Sequence, residues 1–245
     1  MERTQYDTLF DDMLQDHSKF TEVSKDPTTT INRKVENFVT KLIDMKCVNK
    51  FSKQSLYNAH STAPILYGKL KTHKTPAKLR PVVANYNGPT QRLAKWYNNV
   101  LKPFVEKNPY DIKNAQNLVQ KLKGTIVEDP YMLVSFDVKE LYPSVKTEDA
   151  ITTIRENWSE IEKNSPIKDL DVFIEGFQLC CNSGYFKFNE KTYRQLSGQQ
   201  MGGSLSSTAG KLVMNRLLDH VLQESDVKPK FIFKYEDDLL LAVKE

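Results

Sequence analysis

The stretch FIFKYEDDLLLAV, residues 231–243, decides how this chain is read. Its two apolar halves have strand composition, and the polar tetrapeptide between them, Tyr235-Glu236-Asp237-Asp238, marks a turn. A surface turn more usually carries glycine or asparagine, which reach positive φ at little cost. Asp237 and Asp238 instead place two like charges side by side, which gains a tight turn nothing structurally. A divalent cation resolves that repulsion.

A third acid lies upstream. Asp137 stands within YMLVSFDVKELY, residues 131–142, a β-rich run whose Leu133, Val134, Phe136 and Val138 predict a buried strand. A carboxylate buried there needs a partner, since leaving it unpaired costs several kcal/mol. A lysine or arginine, or a place at the strand's exposed end, would answer the same need. Three carboxylates from two neighbouring strands suit two Mg²⁺ ions, or Mn²⁺, about 3.5 to 4 Å apart.

Two further segments carry chemistry. ILYGKLK and LRPVVAN predict a hairpin from residue 65 to 85 with Lys69, Lys71, Lys74, Lys78 and Arg80 at or near its tip. Such a cluster can hold a triphosphate, with Arg80 forking onto phosphate oxygens, or be a solvated charge run. The loop GQQMGGSLSSTAG, residues 198–210, is rich in small residues, and Gly202 and Gly203 allow a nucleotide or template backbone to approach the main chain. A plain helix-initiating loop has the same composition.

Around these motifs the periodicity predicts helices. Ile31, Val35, Phe38, Val39, Leu42 and Ile43 form an amphipathic set that Thr30 could cap. Leu93, Trp96, Tyr97, Val100, Leu101 and Phe104 form another, and a shorter helix runs from a cap at Asn114 to a stop at Gly124. Thr147 caps a helix, another spans about Asp169 to Cys181, and Tyr185 to Gln195 forms a hairpin. The last helix turns Leu212, Val213, Leu217 and Val221 inward. The first twenty residues are polar and are expected to fray.

Composition sets bounds. In 245 residues Lys and Arg outnumber Asp and Glu by 35 to 31, so attraction to nucleic acid must come from local clusters rather than net charge. Cys47 stands alone and Cys180 and Cys181 are adjacent, which suits neither a disulfide framework nor a zinc site. No apolar run approaches the roughly 20 residues of a membrane span. The start MERTQYDTLFDD lacks the layout of a secretory signal, so no membrane partner is expected and the protein should be intracellular, in nucleus or cytoplasm.

Taken in order, KDPT (25–28), LYGKLKTHK (66–74), LRPVVA (79–84), SFDVKELYPSV (135–145), MGGSLSSTAG (201–210) and YEDD (235–238) resemble the motif series of reverse transcriptases, and most of all those of Penelope-like retroelements. The resemblance implies an α+β right-hand polymerase, with fingers at 21–127 and, at 128–245, a palm whose antiparallel sheet is backed by helices. It implies that Asp137, Asp237 and Asp238 bind the metals and carry catalysis. Lys71, Arg80, Tyr142, Met201 and Gly202 fall to the deoxynucleoside triphosphate, and Lys69, Lys74, Lys78 and Tyr235 to a primer on an RNA or DNA template. Tyr142, five residues beyond Asp137, takes the place of the aromatic that excludes a ribose 2′-hydroxyl. An inert, retroelement-derived nucleic-acid-binding fragment is the rival, and a purely structural protein would leave the acids unexplained.

The chain departs from that family in three ways. Lys69-Leu70 replaces a common Leu-Pro, and Glu236 takes a position that is usually apolar and abuts the primer end or the nucleotide. A carboxylate there should weaken activity, and Glu236→Val should raise primer extension. The chain also ends seven residues after Asp238, before any thumb or GIY-YIG-type endonuclease. A thumb from a partner chain or from downstream sequence would then be needed, and low processivity without it is expected.

Overall fold

The computed structural model describes residues 2–71 and 78–244. Lys74 lies outside the described residues, as does the side chain of Lys78. The chain runs α1 (Arg3–Leu14), β1 (Phe20–Val23), α2 (Thr28–Asp44), α3 (Lys53–Leu56), β2 (Ile65–Lys71), β3 (Lys78–Ala84), α4 (Gln91–Val105) and α5 (Ala115–Leu122). It continues through β4 (Tyr131–Asp137), α6 (Leu141–Ser144), α7 (Thr147–Glu156), α8 (Trp158–Ile161), α9 (Leu170–Asn182), β5 (Tyr185–Phe188), β6 (Lys191–Gln195), α10 (Ser206–Glu224), β7 (Phe231–Tyr235) and β8 (Asp238–Lys244).

The larger apolar core is helical. Val35, Phe38, Val39 and Leu42 of α2, Leu93, Tyr97 and Leu101 of α4, Ile154 of α7, Phe173 and Phe177 of α9, and Leu212 of α10 pack together out of solvent. Tyr97 brings a hydroxyl into this core and donates it to the carbonyl of Phe173 at 2.9 Å, as burial of a phenol requires. That hydroxyl also explains Gly176 in mid-helix, where a Cβ would stand 2.2 Å from it.

A second core holds a five-stranded mixed sheet of order β1-β6-β5-β2-β3. It joins strands from both sides of residue 127, because β5 meets β2 in parallel at Ile65 and Lys187. The expectation that the first twenty residues fray is corrected here. Phe10 and Leu14 of α1 are buried against Leu66, Val83, Phe186 and Phe188, and the Tyr6 hydroxyl accepts from the Gly68 amide at 2.6 Å. Two apolar residues on one turn-spaced face suffice once a sheet is there to cover them. A Cβ on Gly68 would stand 2.8 Å from Phe10, which is why this strand carries glycine.

Three local readings also change. Thr30 lies inside α2 rather than capping it: Pro27 holds the cap position, and Asp26 before it accepts from the Thr28 amide at 2.9 Å and meets Lys187 of β5 at 2.8 Å. Thr147 is the first residue of α7, and its hydroxyl donates to Asn182 at 2.8 Å. Leu217 and Val221 of α10 are each 49% exposed, and the buried face is set instead by Ala209, Leu212, Met214 and Leu218. The cap at Asn114 stands where the sequence puts it, and Asp169, expected as the start of a helix, is the N-cap of α9.

The third layer is an antiparallel sheet of order β4-β8-β7, built from the acid-bearing segments. None of its strand residues joins either of these two cores; Ile232 and Ala242 are buried within the sheet. It is tied to the rest through β7. The Lys234 amide donates to Tyr110 at 2.7 Å, the Ile112 amide donates to Lys234 at 2.9 Å, and the Lys234 ammonium meets Asp111 at 2.6 Å. Asp219 of α10 approaches from the helical side: burial raises its pKa, and the Lys234 charge offsets part of that rise. No helix among the described residues is long and apolar enough to cross a membrane.

Candidate active site

Register brings two of the expected acids together. Asp137 at the end of β4 is the direct partner of Asp238 at the start of β8, and Tyr235 of β7 is the partner of Asp238. Directly opposed residues of an antiparallel pair project to the same face, so Asp137, Asp238 and Tyr235 share one face of the sheet. Asp237 sits in the connecting turn, and its carbonyl accepts from the Val138 amide at 3.2 Å. Among the described residues no three His, Cys, Asp or Glu side chains gather closely enough to hold a metal ion. The donor set is right in type for Mg²⁺, and two acids are aligned, but the three do not close into a cage.

The burial expected for Asp137 is corrected. Leu133 is 58% exposed, Phe136 is 56% exposed, and Asp137 is exposed as well. β4 is an edge strand with β8 as its neighbour, so apolar composition does not bring burial with it. Desolvation therefore gives Asp137 no need of a partner.

The turn itself is unusual. Its first central residue, Glu236, has φ 53, as two-residue hairpin loops demand and as non-glycine residues rarely adopt. The Glu236 carboxylate is not alone, as the sequence suggested, because the Lys211 ammonium of α10 lies 3.7 Å from it. Nothing in the glycine- and serine-rich motif flagged Lys211, which reads as one more polar residue of a helix.

Tyr142 lies against the same turn. Half-burial raises its pKa, and the Glu236 and Asp237 carboxylates push the same way, while a hydrogen bond with Ser207 and the Arg80 guanidinium oppose them. The phenol of α6 thus has four charged or polar neighbours from two other elements and the turn: α10, β3 and residues 236–237. Arg80 is the register partner of Lys69, and Lys71 follows on the same face of β2, the face that also carries Val82. This face looks toward the small-residue loop, since a Cβ on Gly202 would stand 3.2 Å from the Val82 side chain.

The loop from 198 to 203 fastens these pieces. The Gln199 amide donates to Tyr142 at 2.8 Å, and the Val83 amide donates to Met201 at 2.8 Å, so the loop bridges α6 to β3. Gly202, at φ 99, approaches β3 closely, and a Cβ there would stand 2.5 Å from the Val83 carbonyl. The glycine is thus required by packing on β3. Gly202→Ala, which combines an unfavourable φ with a backbone clash, is expected to cost about 2–4 kcal/mol in urea denaturation. An unchanged midpoint would mean that the loop does not hold the two elements.

No family model matches the chain, and no curated protein matches it. Solved structures do. The chain is similar to the telomerase of Candida albicans in complex with the TWJ fragment of telomeric RNA, with 13% identity, 92% of this chain and 44% of that chain covered, and a TM-score of 0.54. It is similar to the telomerase of Candida tropicalis bound to a TWJ RNA fragment, with 12% identity, 84% and 40% coverage, and a TM-score of 0.52. The BmCPV RNA-dependent RNA polymerase at quiescent state aligns at 13% identity over 89% of this chain and 22% of that one, with a TM-score of 0.49. The chain thus spans less than half of the length of these two telomerase chains. It has the α+β fold of a polymerase core.

Proposed function

We propose that this chain is the fingers-and-palm core of a reverse transcriptase of the Penelope-like kind, adding deoxynucleotides to a primer 3′-end on an RNA or DNA template. The observation that carries the reading is the register that sets Asp137 opposite Asp238 on one face, beside a turn that Tyr142 and Arg80 also approach. Neither a structural protein nor a plain binding module needs two like charges placed across a strand pair, an arrangement that destabilises a sheet.

Each residue then has a task. Arg80 and Lys71 offer donors to the triphosphate from the hairpin face turned toward the Met201 loop. Tyr142, whose main-chain carbonyl accepts from the Gln199 amide, would use its ring to exclude a ribose 2′-hydroxyl. Tyr235 lies on the acid face, where a primer end would rest. Mg²⁺ or Mn²⁺ on Asp137, Asp237 and Asp238 would supply Lewis-acid chemistry, and the open arrangement of the three acids means that cation and nucleotide would have to draw them together.

Primer extension with deoxynucleotides, run beside Asp137→Asn, tests the reading. Extension that survives that substitution defeats it. Tyr142→Ala tests the sugar assignment: the preference for deoxy- over ribonucleotides should fall at least about tenfold, read as the ratio of kcat/KM values. The rival reading, a fragment that binds nucleic acid without chemistry, draws on the same ungathered acids. It predicts binding without extension in every variant.

A further inference from the structure

Four acidic residues lie on the β7–β8 turn and the strand end beside it: Asp137, Glu236, Asp237 and Asp238. Such a concentration of negative charge opposes any polyphosphate. Glu236 adds to the problem, because it is the first central residue of the turn, held at φ 53, and its charge acts on Tyr142. Lys211 answers it. The ammonium stands 3.7 Å from the Glu236 carboxylate, with Lys211 about a quarter exposed and Glu236 less than half exposed. Lys211 also follows Ser207 by four residues on α10, so one helix face carries both Ser207, a neighbour of Tyr142, and the ammonium paired to Glu236. Two elements of the site are thus set by one helix.

We propose that Lys211 is a positioning residue that holds Glu236 and cancels its charge, so that the space bounded by Tyr142, Arg80 and the 235–238 turn accepts the polyphosphate of a nucleoside triphosphate. This rests on the reading that a nucleotide occupies that space, and it is independent of whether chemistry follows. Lys211 and Glu236 form a matched pair: the acid at a position usually apolar is tolerated because the helix supplies its counter-charge.

The test is equilibrium binding of a fluorescent deoxynucleoside triphosphate analogue in Mg²⁺ buffer. Lys211→Met should weaken binding about fivefold, the effect of one screened charge at this range. Glu236→Gln alone should tighten it by a similar factor. In the Glu236→Gln background the loss caused by Lys211→Met should shrink, because there is no longer a carboxylate to be restrained, and Lys211→Arg should bind like the parent. Should Lys211→Met prove unstable, Lys211→Arg and the double variant, checked by thermal melting, carry the comparison. Equal losses from Lys211→Met in both backgrounds, no loss in either, or no binding by any variant overturn the proposal. Primer extension separates it from the reading above. Coupled binding without extension sinks the catalytic assignment alone, whereas extension that needs Asp137 but shows no coupling sinks this one alone.

Discussion

Asp137→Asn is expected to lower primer extension by at least about 100-fold and to leave the fold intact or slightly more stable. The functional half follows from charge. Asparagine keeps the size of the side chain but removes the anion that, with Asp238 across the ladder, gives this face its chemistry. The stability half follows from exposure. Asp137 lies at the open end of an edge strand, so nothing buried depends on it. Like charges directly opposed across a strand pair are destabilising, and removing one should gain a few tenths of a kcal/mol. Loss of activity with a gain in stability marks a residue kept for function at a cost to the fold. A variant that lost activity and melted earlier would instead assign Asp137 to the structure.

That outcome reverses the physical reason for which the acid is conspicuous in the sequence. Apolar neighbours predict burial, and burial predicts a partner, but β4 has a strand on one side and leaves Leu133 and Phe136 exposed. That the acid-bearing strands are neighbours was legible from their apolar runs, whereas the register that sets Asp137 opposite Asp238 came only from the structure. Helices α2 and α4 were legible from their periodicity and α5 from its cap at Asn114, and the span of α9 was expected from about Asp169 to Cys181.

What could not be read depends on contacts between distant residues. α1 looks polar because Phe10 and Leu14 are few, and their burial needs β2, β3 and β5 to be in place. Asp26 accepts from the first amide of α2 with Lys187 at its back, 161 positions along the chain. Lys211 gains its meaning from a glutamate 25 residues away. The separations make the point: single-strand and single-helix patterns are local, whereas counter-charges are not.

Asp111→Ala should be the most destabilising surface-to-core change near the site, costing about 3–5 kcal/mol. Lys234 is 1% exposed, and its ammonium lies 2.6 Å from Asp111. Removing the acid strands a buried cation, and the nearby Asp219 can relieve it in part, which places the expected loss toward the lower end. Lys234→Met leaves a partly exposed carboxylate that water can solvate, so it should cost less, and the double change should recover most of the loss, since a well-packed apolar side chain can replace a buried pair. The damage should be local. The β4-β8-β7 sheet shares no strand residue with either of the two apolar cores, so amide exchange across Phe231–Tyr235 should accelerate while α4 and α9 stay protected. Because Lys234 immediately precedes Tyr235, loosening that strand releases the acidic turn, and extension should fall together with protection. Slowed extension with undisturbed exchange in β7 would show that Asp111 acts on the reaction by another route, and equal costs for Asp111→Ala and the double variant would show that the ion pair does not hold the sheet.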